Sequence, residues 1–391
     1  MENKFALAVE NSTASFISNQ KLIAKGVDYY LQNTGCFNAV ILCEDLGWFT
    51  IGKKIKDELS LRAKVVSFCV EQDCEYHSVL PKLFESVQKA DEIIVIANQN
   101  FALFACEYYK NKNVKVIFIP LDFDFCEFFT FAYGGENCVL VLCEKLLSLC
   151  SRNKTTDALR MIYSRQIISA EMLANEVIGG LLVDNEAQKL LDESILCAEE
   201  YLTKRYLYLL CIALLKGSVA EQKSGVGNIP FLAGKILYRM QNLSLKGERE
   251  YLLYKMTLRL YKLYFSNECN FLINLPGRVL EEEEIKGLFK FDYQKHLSSL
   301  PYFFNDLTKV DEIKEKIIAK GKFLPVVDQL LSKIESESLA LKKEYGGRKY
   351  SVEHYSSKQR AKALYLAPYI NGKPTAYDLL FASGVTQFLK Q

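Results

Sequence analysis

The first 150 residues alternate short apolar runs, many of them β-branched, with stretches whose apolar positions recur at helical spacing. Residues 38–43 and 63–70 read as strands, and residues 52–59 between them read as a helix. Leu80, Leu83, Phe84 and Val87 fall on one face of a helix over 80–90. Residues 92–97 and 114–119 read as two more strands, joined by the turn Ala97-Asn98-Gln99-Asn100 and a helix beginning near Phe101. Residues 139–142 close the series. Continuously apolar strands alternating with helices predict a mostly parallel sheet covered on both faces. Ligands on such sheets sit beyond the strand C-termini, here the turn at 97–100 and the loop after Ile119.

Beyond residue 150 the strand signal gives way to helical periodicity over 170–178, 185–216, 230–240, 247–264, 311–320, 325–343 and 358–366. Pro276-Gly277 marks a break, and Glu281 to Glu284 start the next helix, where acidic side chains complement the helix dipole. The pattern predicts an α/β domain over residues 1–150 and an all-helical domain over 151–391.

Composition narrows the function classes. At 391 residues the chain can hold two full cores, and its formal net charge of +2 gives no electrostatic reason to expect nucleic acid or an acidic membrane as partner. No run of about eighteen apolar residues is present, so nothing is expected to span a bilayer. Met1-Glu2-Asn3-Lys4-Phe5 is unlike a signal peptide. The twelve cysteines stand singly, mostly in apolar runs and without a CxxC pair, which predicts free thiols in a reducing cytoplasm. His77, His296 and His354 are the only histidines and show no ligand spacing.

Four colinear segments carry a family resemblance. Residues 90–120 combine Ala90-Asp91, an apolar strand, a polar turn, a helix, a strand and Pro120. Residues 207–232 contain Lys216-Gly217-Ser218 and Lys223-Ser224-Gly225-Val226-Gly227-Asn228. Leu245-Lys246-Gly247-Glu248 precedes a long helical stretch, and Ala363 to Ile370 with Thr375 to Leu380 form the last segment. In this order they resemble the superfamily of dehydroquinate synthases, iron-containing alcohol dehydrogenases and glycerol dehydrogenases, nearest its glycerol-1-phosphate dehydrogenase branch. The resemblance implies a Rossmann-like nucleotide-binding domain, a helical metal-binding domain, a cleft between them, and a homo-oligomer.

The chemical positions of that family are changed here. Its Gly-Gly-Gly-Ser phosphate cradle falls on Ala97, Asn98, Gln99 and Asn100, and the Asp and Lys of the following helix fall on Leu103 and Cys106. Glycines there let backbone N–H groups approach a pyrophosphate at a helix N-terminus. The metal-binding Asp and two His fall on Arg165, Asn228 and Lys246, with the Glu before the first His on Gly227. A protonated Lys or Arg does not ligate a metal.

The resulting expectation is a catalytically impaired homologue, a pseudoenzyme acting as a binding or regulatory protein, with neither metal nor dinucleotide as cofactor. The alternative is an active NAD(P)-linked, divalent-metal oxidoreductase acting on glycerol-1-phosphate, dihydroxyacetone phosphate or a similar polyol phosphate. Its relocated ligands would come from Asp157, Glu171, Asp184, Glu221 and Glu248. A third option keeps a small phosphorylated ligand without metal, held by Arg165, Lys223 and Lys246.

Overall fold

The computed structural model describes residues 4–7, 14–17, 38–61, 63–70, 90–109, 114–132, 138–240, 244–266, 307–345, 355–370, 373 and 375–383. The helix expected over 80–90 (Ala90 apart), the Pro276-Gly277 break, the start at Glu281–Glu284 and all three histidines lie outside these residues. So do Cys36, Cys74 and Cys269. The chain divides into two compact units, residues 1–155 with 199–218, and residues 156–198 with 219–391.

The first unit is built on a seven-stranded sheet. Its strands are β1 (Lys4–Leu7), β2 (Ala14–Ile17), β3 (Asn38–Glu44), β4 (Lys64–Val70), β5 (Glu92–Ala97), β6 (Lys115–Pro120) and β7 (Cys138–Cys143), in the order β1-β2-β7-β6-β5-β3-β4. β1 runs antiparallel to β2, and every other pairing is parallel. The five strands from β3 to β7 match the apolar runs of the sequence. β1 and β2 are additions to that expectation: with four residues each, they are too short for a period to register.

A helical turn (Asp45–Gly47) and a π-turn (Trp48–Gly52) lead from β3 into α1 (Lys53–Leu59). α2 (Gln99–Tyr109) joins β5 to β6, α3 (Cys126–Ala132) joins β6 to β7, and α4 (Glu144–Ser148) follows β7. Ile41, Ile94, Ile96, Ile117, Val139 and Val141 form one apolar face with Ile51, Ile55 and Leu59. The intervening Val40, Leu42, Ile93, Val95, Phe118 and Leu140 are equally buried. On that second face the Phe118 ring lies 4.7 Å from the Phe128 ring of α3. Burial on both faces is why these strands read as unbroken apolar runs. Each such side chain contributes on the order of 2 kcal/mol when fully buried.

β3 lies between β4 and β5, so the direction of winding reverses there, and the ends of β3 and β5 flank the position where doubly wound sheets take ligands. Gly47 is required at this point. A Cβ on it would stand 2.6 Å from Ile96 Cγ2 and 2.8 Å from the Ile96 carbonyl oxygen, so only glycine lets the turn after β3 seat on the end of β5.

The rest of the described chain is helical: α5 (Arg152–Ser164), α6 (Ile167–Ile178), α7 (Asn185–Lys204), α8 (Leu207–Ser224), α9 (Ile229–Met240) and α10 (Lys246–Phe265). After them come α11 (Leu307–Ala319), α12 (Phe323–Tyr345), α13 (Ser357–Ile370) and α14 (Ala376–Ala382). The single helix expected over 185–216 is two helices. Arg205 takes the left-handed conformation, φ 63°, and stops α7 while its N–H still donates to the Tyr201 carbonyl. Among the described residues no helix is long and apolar enough to cross a membrane.

Candidate functional site

In the first unit the candidate site is the turn after β5, and its geometry centres on Glu44, the last residue of β3. Glu44 is 2% exposed. Its Oε1 accepts the Asn98 backbone N–H at 3.0 Å and the Asn98 side-chain Nδ2 at 2.8 Å. Asn98 Oδ1 in turn accepts the Phe101 N–H at 3.2 Å, which caps the N-terminus of α2. Gln99 is buried and faces α3: its Oε1 accepts the Glu127 and Phe128 N–H groups at 2.8 and 3.2 Å, and its Nε2 donates to Asp124 at 3.0 Å. Asn100 is exposed, Leu103 is half-buried, and Cys106 is buried with its sulfur 3.4 Å from that of Cys138. Ala97 is wholly buried, and its carbonyl accepts the Leu121 N–H at 3.3 Å.

These groups do not fit a dinucleotide pyrophosphate. The helix N-terminus that would receive it is capped by Asn98, and the N–H of Asn98 is already given to a buried carboxylate. A phosphate there would meet like charge from Glu44.

The second unit gathers the positions matched to the metal ligands. Arg165 lies in the turn between α5 and α6, is 4% exposed, and its Nε donates to Glu221 Oε2 at 3.1 Å. Asn228 is buried, and its Oδ1 accepts the Phe231 N–H at 3.2 Å, capping α9. Lys246 opens α10 with its ammonium 5.3 Å from the centre of the Phe231 ring. One helical turn further on stands Glu250, 2% exposed, whose Oε2 accepts the Ser164 hydroxyl at 3.5 Å while Oε1 has no hydrogen-bond partner. Burial pushes the Glu250 carboxyl up to about 7 against the pull of Lys246 and Arg165, with Glu221 and Asp157 adding to the rise. The cluster therefore joins two cations to two carboxylates.

Such a set does not fit a divalent metal ion. An ion placed among these groups would face a guanidinium and an ammonium where the family presents carboxylate and imidazole. Among the described residues no three His, Cys, Asp or Glu side chains are grouped to hold a metal ion.

The other sequence candidates are dispersed. Lys223 pairs with Glu186 at 2.8 Å. Asp157 accepts the Gly247 and Glu248 N–H groups at 3.0 and 2.8 Å, serving the N-terminus of α10, which has no cap of its own. That contact fixes Gly247, since a Cβ there would lie 2.1 Å from the Asp157 carbonyl oxygen. Glu248 itself is buried. Asp184 accepts the Glu186 and Ala187 N–H groups at the start of α7. Glu171 is buried elsewhere, accepting the Tyr261 hydroxyl and the Ala376 N–H. Sequence reasoning missed Glu44 and Glu250. The signal for Glu250 is its spacing, four residues after Lys246 on one helix face; for Glu44 it is a carboxylate ending an apolar strand.

No family model matches the sequence, and no curated protein matches it. Solved structures do match the fold. An iron-containing alcohol dehydrogenase from Corynebacterium glutamicum is similar with a TM-score of 0.54 at 10% identity, over 100% of this chain and 96% of that one. A glycerol dehydrogenase from Schizosaccharomyces pombe gives 0.52 at 11% identity, over 87% and 93%. A sulfoacetaldehyde reductase from Bifidobacterium kashiwanohense, solved in complex with NAD+, gives 0.53 at 11%, over 98% of each chain. The chain has the fold of the iron-containing alcohol dehydrogenases, with a mostly parallel α/β unit and a helical unit.

Proposed function

We propose that this protein is a divergent relative of the glycerol-1-phosphate dehydrogenase branch that has given up metal-dependent hydride transfer and serves as a binding or regulatory protein. The observation that carries this reading is the cluster of buried Arg165 and Glu250 with the partly buried Glu221 and Lys246, two of whose members, Arg165 and Lys246, fall at positions matched to the metal ligands. In the active enzymes the metal polarises the oxygen that gains or loses hydride. At two of the matched positions this chain carries protein cations, Arg165 paired with Glu221 and Lys246 one helical turn before Glu250, which supports a site without open coordination positions. The Glu44–Asn98 contact has the same sense at the nucleotide turn. An NAD(P)-linked oxidoreductase is the alternative compatible with the fold, since one similar structure holds NAD+.

Metal analysis of the purified protein, alongside titration with NAD(H) and NADP(H), separates the two. We expect no stoichiometric zinc, nickel or iron, a melting temperature unchanged by dialysis against a chelator, and no saturable dinucleotide binding at micromolar levels. Tight stoichiometric metal binding, or micromolar affinity for either dinucleotide, would move the oxidoreductase reading ahead.

A further inference from the structure

We infer that Cys106 and Cys138 form a peroxide-oxidisable dithiol, a modification site that converts reversibly to a disulfide between α2 and β7. The inference rests on the first unit alone and is independent of the proposed function. The two sulfur atoms lie 3.4 Å apart, with Cys106 3% and Cys138 8% exposed. A disulfide needs about 2.05 Å, a gap that side-chain rotation and small shifts can close without unpairing β7.

The hydrogen bond between the thiols makes them unequal. The contact with Cys138 holds the Cys106 thiol well above the usual range, with burial acting in the same direction. The same hydrogen bond lowers Cys138 and favours its thiolate, against the effect of burial. Cys138, the more exposed of the two at the start of β7 and the one whose thiolate the contact favours, is the attacking sulfur and Cys106 the resolving one. With a small hydroperoxide, the Cys138 thiolate attacks the O–O bond. One oxygen is transferred to give a sulfenic acid, and the other leaves as alcohol or water after taking a proton. Cys106 then attacks the Cys138 sulfur, forming S–S and releasing water, while its thiol proton goes to the departing hydroxide. Two thiols lose two electrons, and one peroxide gains them.

A second pair supplies an internal contrast. Cys43 and Cys69 are register partners on β3 and β4, yet their thiols also point to oxygen: Cys43 to the Phe68 carbonyl at 3.6 Å, Cys69 to Asp45 at 3.0 Å. Burial raises Cys43 to about 12, with the neighbouring Cys69 and then Asp45 adding to the rise, and raises Cys69 to about 11, with its hydrogen bond to Asp45 outweighing the opposing one from Cys43. Both stay protonated, and Cys69 should react slowly in spite of its exposure.

The full-length reduced protein should be titrated with hydrogen peroxide, quenched with a thiol-blocking reagent, digested without reductant and mapped by tandem mass spectrometry. We expect a peptide pair joined through Cys106 and Cys138, with fragmentation excluding Cys126 and Cys143, and the link should disappear on treatment with dithiothreitol. The bridged form should melt roughly several degrees higher, because the closed segment encloses β6 and α3. In Cys106→Ser, dimedone should trap a sulfenic acid at Cys138 that it does not trap in the parent. The parent protein decides the matter even if that variant fails to fold. Oxidation of Cys69 while Cys106 and Cys138 stay free, or a Cys106–Cys138 link seen only after denaturation, overturns the inference.

Discussion

Glu250 and Gly247 show how much one position of α10 depends on another. Asp157 donates no proton; it accepts two N–H groups from residues 247 and 248 and so does the work of a cap in a helix whose own N-cap residue, Leu245, has no polar side chain. Asp157→Ala should cost on the order of 2 kcal/mol or more, because two buried N–H groups lose a charged acceptor. Gly247→Ala should destabilise through a different cause, the contact of its Cβ with the Asp157 carbonyl. Urea unfolding checks both, and a Gly247→Ala protein as stable as the parent would contradict the close approach. The ionic cluster nearby makes a further prediction. Arg165 and Lys246 are the cations a small phosphorylated ligand would use, but Glu221 and Glu250 already face them. Inorganic phosphate should bind weakly if at all, any binding should fade with added salt, and Arg165→Met with Lys246→Met should abolish it. Strong phosphate binding that survives the double change would place the ligand elsewhere.

At the scale of elements, β3, β5, β6 and β7 were legible because two-sided burial leaves an unbroken apolar run, and α9, α10 and α12 were legible from helical spacing. The α7–α8 break was not, since it depends on the backbone conformation of Arg205, a residue type that gives no warning. α5 escaped notice because buried polar residues such as Thr156, Asp157 and Arg160 interrupt its apolar pattern. At the candidate sites the sequence offered Glu221, which the structure pairs with Arg165, but not Glu44 from β3 or Glu250 beside Lys246. Asn98 illustrates the difference. Read alone it is a bulky replacement for glycine; in the structure it joins β3, β5 and α2. Asn98→Gly should therefore lower stability by about 1 kcal/mol or more instead of restoring a phosphate cradle. Thermal melting with and without NAD(H) tests this, and micromolar NAD(H) binding by that variant would show that the Asn98 side chain was the obstruction.

Buried carboxyl groups recur in both units of the molecule, Glu250 among them, and they set a common pH dependence. Burial raises Glu171 to about 8, with Asp378 adding to the rise and the hydrogen bonds from Tyr261 and Ala376 opposing it. Burial likewise raises Asp378 to about 7 against the hydrogen bonds from Thr375, and Glu92 to about 7 against the pull of Lys115. Glu250 lies in the same range. Each carboxyl has a folded value above its unfolded one, so the folded chain holds protons that the unfolded chain has released. Their stabilising contribution is fully present below the unfolded values and is lost as pH rises through the folded ones. The urea midpoint should accordingly fall from about pH 4 to about pH 8.5, steepest at about pH 5 to 6.5, between the unfolded and folded values, and level off above about pH 8.5. Glu171→Gln stays neutral throughout and can still accept a hydrogen bond from Tyr261 or Ala376, so it should flatten the alkaline end of that curve. A midpoint that rises across this interval, or a Glu171→Gln curve as steep as the parent's, would mean that these carboxyls are ionised in the folded protein and matched by charges nearby.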